Sequence, residues 1–142
     1  MYQKDFILRM IEMLGEFIAR IFGYIKKGEF EKAHQAIENS YQELLKQDAA
    51  FFQKIPEAEL TTTLLTEHNY THGHLEILSE LFFAQSELFY AQKKFKESLQ
   101  YYKKSLLLLE FVIIESKAFS MEKQSKVNLL QSKIEDLKKK GN

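Results

Sequence analysis

Three of the four histidines fall within seven residues, His68-Asn69-Tyr70-Thr71-His72-Gly73-His74, and this is the densest chemistry in the chain. On a continuous helix His68 and His72 would stand one turn apart and could share a metal ion, with Glu67 or His74 adding a ligand. The spacing does not fit a zinc hydrolase, because a His-Glu-x-x-His motif places its catalytic glutamate between the histidines and Glu67 precedes them. Gly73 and the threonines before the cluster argue for a helix boundary, where these side chains cap helices and face water. A metal- or small-ligand-binding bundle using His68, His72 and His74 is therefore the alternative reading.

Other chemistry-bearing patterns are sparse. Carboxylate pairs such as Glu57 and Glu59, or Glu135 and Asp136, lie on amphipathic segments without neighbouring histidines or glycine loops, and read as solvated faces. No phosphate-cradling loop or nucleophile elbow is present. The chain has no cysteine, which excludes disulfides, thiol catalysis and thiolate metal sites. The expectation is a protein that is not an enzyme and carries no cofactor.

Charge narrows the partners. Lysine plus arginine and aspartate plus glutamate each total 20, so the formal net charge is zero. Proteins that follow nucleic-acid phosphates carry a basic excess, so a nucleic-acid partner is not expected. The 12 phenylalanines and 7 tyrosines recur at helical spacing, as a core requires, without the flanking basic residues of a base-stacking platform. Lys138-Lys139-Lys140 reads as a cationic last helical turn. The most apolar run, Leu106 to Ile114, contains Glu110 and is too short to cross a bilayer. The amino terminus lacks a signal-peptide pattern. These features predict a cytoplasmic protein without stable membrane insertion.

The elements that must position these residues are helices. One proline and five glycines in 142 residues leave too few turns for an all-β domain. The pattern predicts one all-α domain, an antiparallel bundle of about five to six helices spanning 1–142. A first hairpin occupies 1–47. Its first helix, about Gln3 to Lys26, carries Ile7, Ile11, Leu14, Ile18, Ile21 and Ile25 at alternating spacings of four and three, with Asp5–Arg9 and Glu16–Arg20 pairs on the polar face. Its second runs from about Glu29 to Gln47. An irregular connector, 48–74, contains a short helix from about Glu57 to Thr66 that opens at Pro56. A second hairpin, 75–118, has helices ending near Gln92 and Lys117, and the apolar residues Leu106 to Ile114 are expected at the centre of the core. A capping helix fills 119–142, with Ser120 as its cap.

Two segments echo each other. Tyr24-(x3)-Gly28-Glu29-Phe30-(x2)-Ala33 matches Phe89-(x3)-Lys93-Lys94-Phe95-(x2)-Ser98, 65 positions further on. Each has an aromatic near a helix end, a tight turn, an aromatic opening the next helix and a small residue that lets the backbones approach. The pattern resembles tetratricopeptide repeats, over about Met13 to Leu45 and Ile77 to Glu110. The small residue expected in the first helix is Ile21 in one unit and Ser86 in the other. The closing proline is absent, and the separation is nearly twice the usual period of about 34 residues. The opening Tyr2 to Glu12 is also similar to a bacterial family of small tetratricopeptide-like proteins, which implies a bacterial source.

The repeat resemblance implies a non-enzymatic scaffold that binds a protein or peptide along the groove lined by the first helix of each pair. Carried onto this chain, it selects Phe83, Glu87 and Tyr90 in the second unit, and Ile18, Phe22 and Ile25 in the first. The latter set is uniformly apolar and reads as core, or as the surface of a homodimer formed through the first helix.

Overall fold

A computed structural model describes residues 2–116 and 120–140, with side chains from Phe6 onward. The protein is an all-α bundle; among the described residues there are seven α-helices and no strand. They are α1 (Tyr2–Lys26), α2 (Phe30–Ser40), α3 (Ala49–Gln53), α4 (Leu60–Glu67), α5 (His72–Ala91), α6 (Phe95–Ser116) and α7 (Met121–Lys140). The Asp5 side chain of the expected Asp5–Arg9 pair, and Lys117 at the expected end of α6, lie outside the described residues.

The two hairpin turns share one hydrogen-bonding pattern. In the first, Gly28 N–H donates to Ile25 and Glu29 N–H to Tyr24 (3.0 and 2.9 Å); in the second, Lys93 N–H donates to Tyr90 and Lys94 N–H to Phe89 (3.0 and 2.9 Å). Both satisfy the last carbonyls of a helix through a left-handed residue, Gly28 at φ 76° and Lys93 at φ 64°. Ala33 and Ser98 are both fully buried, as close backbone approach requires. The two aromatics of the second hairpin take different partners: Phe95 meets Tyr90 (5.3 Å between ring centroids), while Phe89 meets Tyr101 (5.5 Å).

The connector holds more structure than its sequence pattern predicts. Helix α2 runs on as a π-helical turn, Tyr41–Leu45, and ends at the left-handed Lys46 (φ 60°), short of the expected Gln47. Asp48 then caps α3, accepting from Phe51 N–H at 2.9 Å. Pro56 precedes a 3-10 turn, Glu57–Glu59, so the α-helix begins only at Leu60. The buried Tyr41 donates to Gln85 on α5 (2.8 Å), and Gln53 of α3 donates to Tyr101 on α6 (2.7 Å), tying the excursion to the second hairpin.

The centre of the core is α5, not the apolar run of α6. Helix α5 buries Leu75, Ile77, Leu78, Leu81, Phe82 and Ala84 almost completely, on several faces. On α6, Leu108, Leu109 and Val112 are buried but Ile114 is 69% exposed. The reason is position: α5 packs against α1, α2 and α6, whereas α6 is covered by α5 and α7. The α5–α6 contact is zipped by two reciprocal serine pairs. Ser79 and Ser105 each donate to the other's carbonyl (2.7 Å both ways), and Ser86 and Ser98 do the same. A second cluster, built on Phe83, Tyr102 and Leu109 with Val127, Leu130, Ile134 and Leu137 of α7, lies on the far side, and Phe22 of α1 packs against both clusters. Ser120 caps α7, accepting from Lys123 N–H at 3.3 Å.

Candidate functional site

Helices α1 and α5 lie side by side in the same direction: Gly73 at the start of α5 faces Ile7, and further along Phe22 meets Phe83 edge-on at 5.9 Å. Their C-terminal ends enclose an open depression of about 330 Å³. It is lined by Phe22, Ile25 and Lys26 of α1, Glu87 and Tyr90 of α5, and Lys133 of α7. Four of the six residues that the repeat resemblance selects, Phe22 and Ile25 from the first unit and Glu87 and Tyr90 from the second, thus meet in one place; Ile18 and Phe83 do not line it.

Helix α7 forms the third wall. Lys126, Lys133 and Lys140, spaced by seven residues, lean toward α5. Lys126 Nζ sits 3.4 Å above the Phe83 ring and pairs with Glu80 at 3.4 Å. Lys133 pairs with Glu87 at 3.3 Å, and Lys140 donates to the Tyr90 hydroxyl at 3.0 Å. Lys123 adds a pair with Glu76 at 3.5 Å. Such part-exposed pairs contribute little stability each, but together they fix where α7 lies. Tyr102 donates to the Glu87 carboxylate; burial, and then that hydrogen bond, push its phenol pKa well up. Glu87 is thereby held from two sides.

The expected groove contacts divide. Phe83 is 4% exposed beneath Lys126 and belongs to the core, because α7 closes over it. Glu87 is half-buried and Tyr90 is 38% exposed. Ile18, Phe22 and Ile25 are half-buried against the main core, neither sealed nor free. Among the described side chains of α1, the large exposed apolar residues are instead Phe6, Leu8 and Met13. The lysines of α7 were legible as a seven-residue spacing, but that spacing equally describes a solvated face.

The histidines do three different jobs. The chain is not helical across them: His68 caps the end of α4, Asn69 is left-handed (φ 58°) and His72 opens α5. His68 packs edge-on against Phe51 (4.9 Å) and His72 against Phe111 (6.0 Å). His74 closes a capping box with Thr71, its Nδ1 accepting from Thr71 N–H at 3.0 Å while Thr71 Oγ1 accepts from His74 N–H at 3.3 Å. Among the described residues no three His, Cys, Asp or Glu side chains are grouped to hold a metal ion. The expected His68–His72–His74 set is split because the break at Asn69 and Tyr70 turns the chain between helices: His68 and His74 line one depression, while His72 packs against Phe111.

No helix among the described residues is long and apolar enough to cross a membrane. The architecture is that of an all-α bundle with two equivalent hairpin turns. No protein-family model matches the chain, and no significant match was found among curated proteins or solved structures.

Proposed function

We propose that this protein is a non-enzymatic, tetratricopeptide-like interaction module that receives a peptide or protein segment in the depression between α1, α5 and α7. The observation that carries this reading is the convergence of Phe22 and Ile25 with Glu87 and Tyr90 on one open surface. Apolar side chains on one wall and polar groups fixed by ion pairs on the others suit a segment with one greasy and one hydrogen-bonding edge. The shared geometry of the two hairpin turns supports the repeat-like reading.

The test compares partners captured by the wild-type chain, by Tyr90→Ala and Ile25→Glu, and by Leu129→Ala on the outer face of α7. A partner that binds directly when purified, is lost with both groove variants and persists with Leu129→Ala supports the proposal. Binding that ignores both groove variants ends it.

Association of two copies through α1 is a second reading, favoured by Leu8 at 51% and Met13 at 41% exposure on that helix. Sedimentation of the wild type beside Leu8→Glu and Met13→Glu decides it; a monomeric wild type removes it.

A further inference from the structure

A second depression, of about 260 Å³, opens at the opposite end of the bundle and is independent of the groove reading. Four stretches of chain converge on it: the start of α1, the π-helical turn with its cap, the α4–α5 connection and the first turn of α5. Its apolar side is Phe6, Met10, Leu44, Leu45 and Tyr70; its polar rim is Lys46, Gln47, His68, Asn69 and His74. The lining holds no aspartate or glutamate. Small-ligand sites run from about 300 Å³ upward, so the space suits a compact molecule.

Local backbone chemistry shapes the rim. Lys46 and Asn69 are two of the three described non-glycine residues with positive φ, and both stand on this rim. Left-handed geometry costs about 1 kcal/mol at such residues, and it recurs at binding sites. The π-helical turn beside them is another irregularity frequent at functional sites. Tyr70 holds the two lips together, donating from its hydroxyl to the Leu45 carbonyl at 2.8 Å and stacking on His74 with centroids 4.9 Å apart.

The capping box also fixes the His74 tautomer. A backbone N–H can only donate, so the Nδ1 that accepts from Thr71 carries no proton, and in the neutral ring the proton resides on Nε2. His74, which lines the depression together with Lys46 and Asn69, therefore carries its neutral-ring proton on Nε2, free of the cap.

We propose that this depression binds a small amphipathic carboxylate, with its apolar body against Phe6, Met10, Leu44, Leu45 and Tyr70 and its anionic end at Lys46, Asn69 and His74. A cation finds no carboxylate there. A wholly apolar ligand would strip water from the polar rim without replacing its hydrogen bonds.

Titration of the full chain with 3-phenylpropionate, followed by amide and histidine NMR shifts, tests this against the neutral 3-phenylpropanamide. Saturable shifts centred on Lys46, Asn69 and His74 are expected, with the amide about tenfold or more weaker, as for loss of a hydrogen bond to a charged group. Lys46→Gly removes the cation and relieves the left-handed strain, so it weakens binding about tenfold while leaving the fold at least as stable. His74→Glu keeps an acceptor at the third helical position for the cap, and its charge abolishes carboxylate binding. No saturable shift at millimolar probe, equal affinity for the amide, or indifference to both variants overturns the proposal.

Discussion

The serine pairs between α5 and α6 make the sharpest test of the packing that positions the groove. Ser86 and Ser98 are fully buried, their hydroxyl oxygens 3.1 Å apart, and each donates to the other's main-chain carbonyl. Ser86→Ala deletes one of these bonds without orphaning the other, because Ser98 Oγ keeps the Ser86 carbonyl at 2.9 Å. The lost bond costs about 1 kcal/mol, and the better helix propensity of alanine returns up to about 0.5. Ser86→Val loses the same bond and also forces two methyl groups between helices with no room, adding about 1–3 kcal/mol. For a chain of this length 1 kcal/mol moves the midpoint by about 3–4 °C. Ser86→Ala should therefore lower Tm by about 2–3 °C, and Ser86→Val by roughly 10 °C. Urea unfolding followed by circular dichroism gives the free energies directly. The Ser79–Ser105 pair lies seven residues along α5, about 10 Å away, so Ser79→Ala and Ser86→Ala should add within about 0.5 kcal/mol. Ser86→Val lying within about 0.5 kcal/mol of the wild type would refute the close approach of the two helices.

At the equivalent left-handed positions of the two turns, adding a side chain and removing one should have opposite effects. Gly28→Ala places a side chain at φ 76° and should destabilise by about 1 kcal/mol, whereas Lys93→Gly relieves a left-handed lysine and should stabilise by up to about 1 kcal/mol; thermal melts read both signs. Gly73→Ala would set a new Cβ 2.6 Å from the Ile7 methyl, so calorimetry should show a loss of about 1–2 kcal/mol despite the gain in helix propensity. Burial lowers the His74 pKa below its ordinary value near 6.5, so the folded state takes up its proton less readily than the unfolded chain. The stability this contributes is complete above about pH 6.5 and is lost as pH falls through the lowered value; His74→Gln, which retains a cap acceptor, should flatten the Tm profile between about pH 7 and pH 5. Tyr70, pushed up to about 12 by burial, should stay un-ionised in absorbance titrations past the point where exposed tyrosines have ionised at about pH 10.

By itself the sequence determined the all-helical class, both hairpins and their turns. Those features rest on local rules: apolar residues at spacings of three and four, a glycine or lysine cluster between helices, and small residues at Ala33 and Ser98. It also showed Ser120 as a cap, because a hydroxyl before a helix has few other uses. Short capped pieces were harder to see. Asp48 was a legible cap for α3, yet five residues cannot display a helical period.

Tertiary structure alone decided what the candidate residues face. Phe83 and Tyr90 have the same sequence credentials, seven residues apart on one helix, but α7 lays Lys126 over the first and leaves the second 38% exposed. The histidines are neighbours in sequence and still serve two helix ends, because a left-handed Asn69 separates them. The apolar richness of α6 pointed to the core's centre, but neighbours on more sides gave that place to α5. A residue's type and spacing set which surface it could join. Whether that surface is covered depends on an element far away in the chain, and local periodicity carries no information about it.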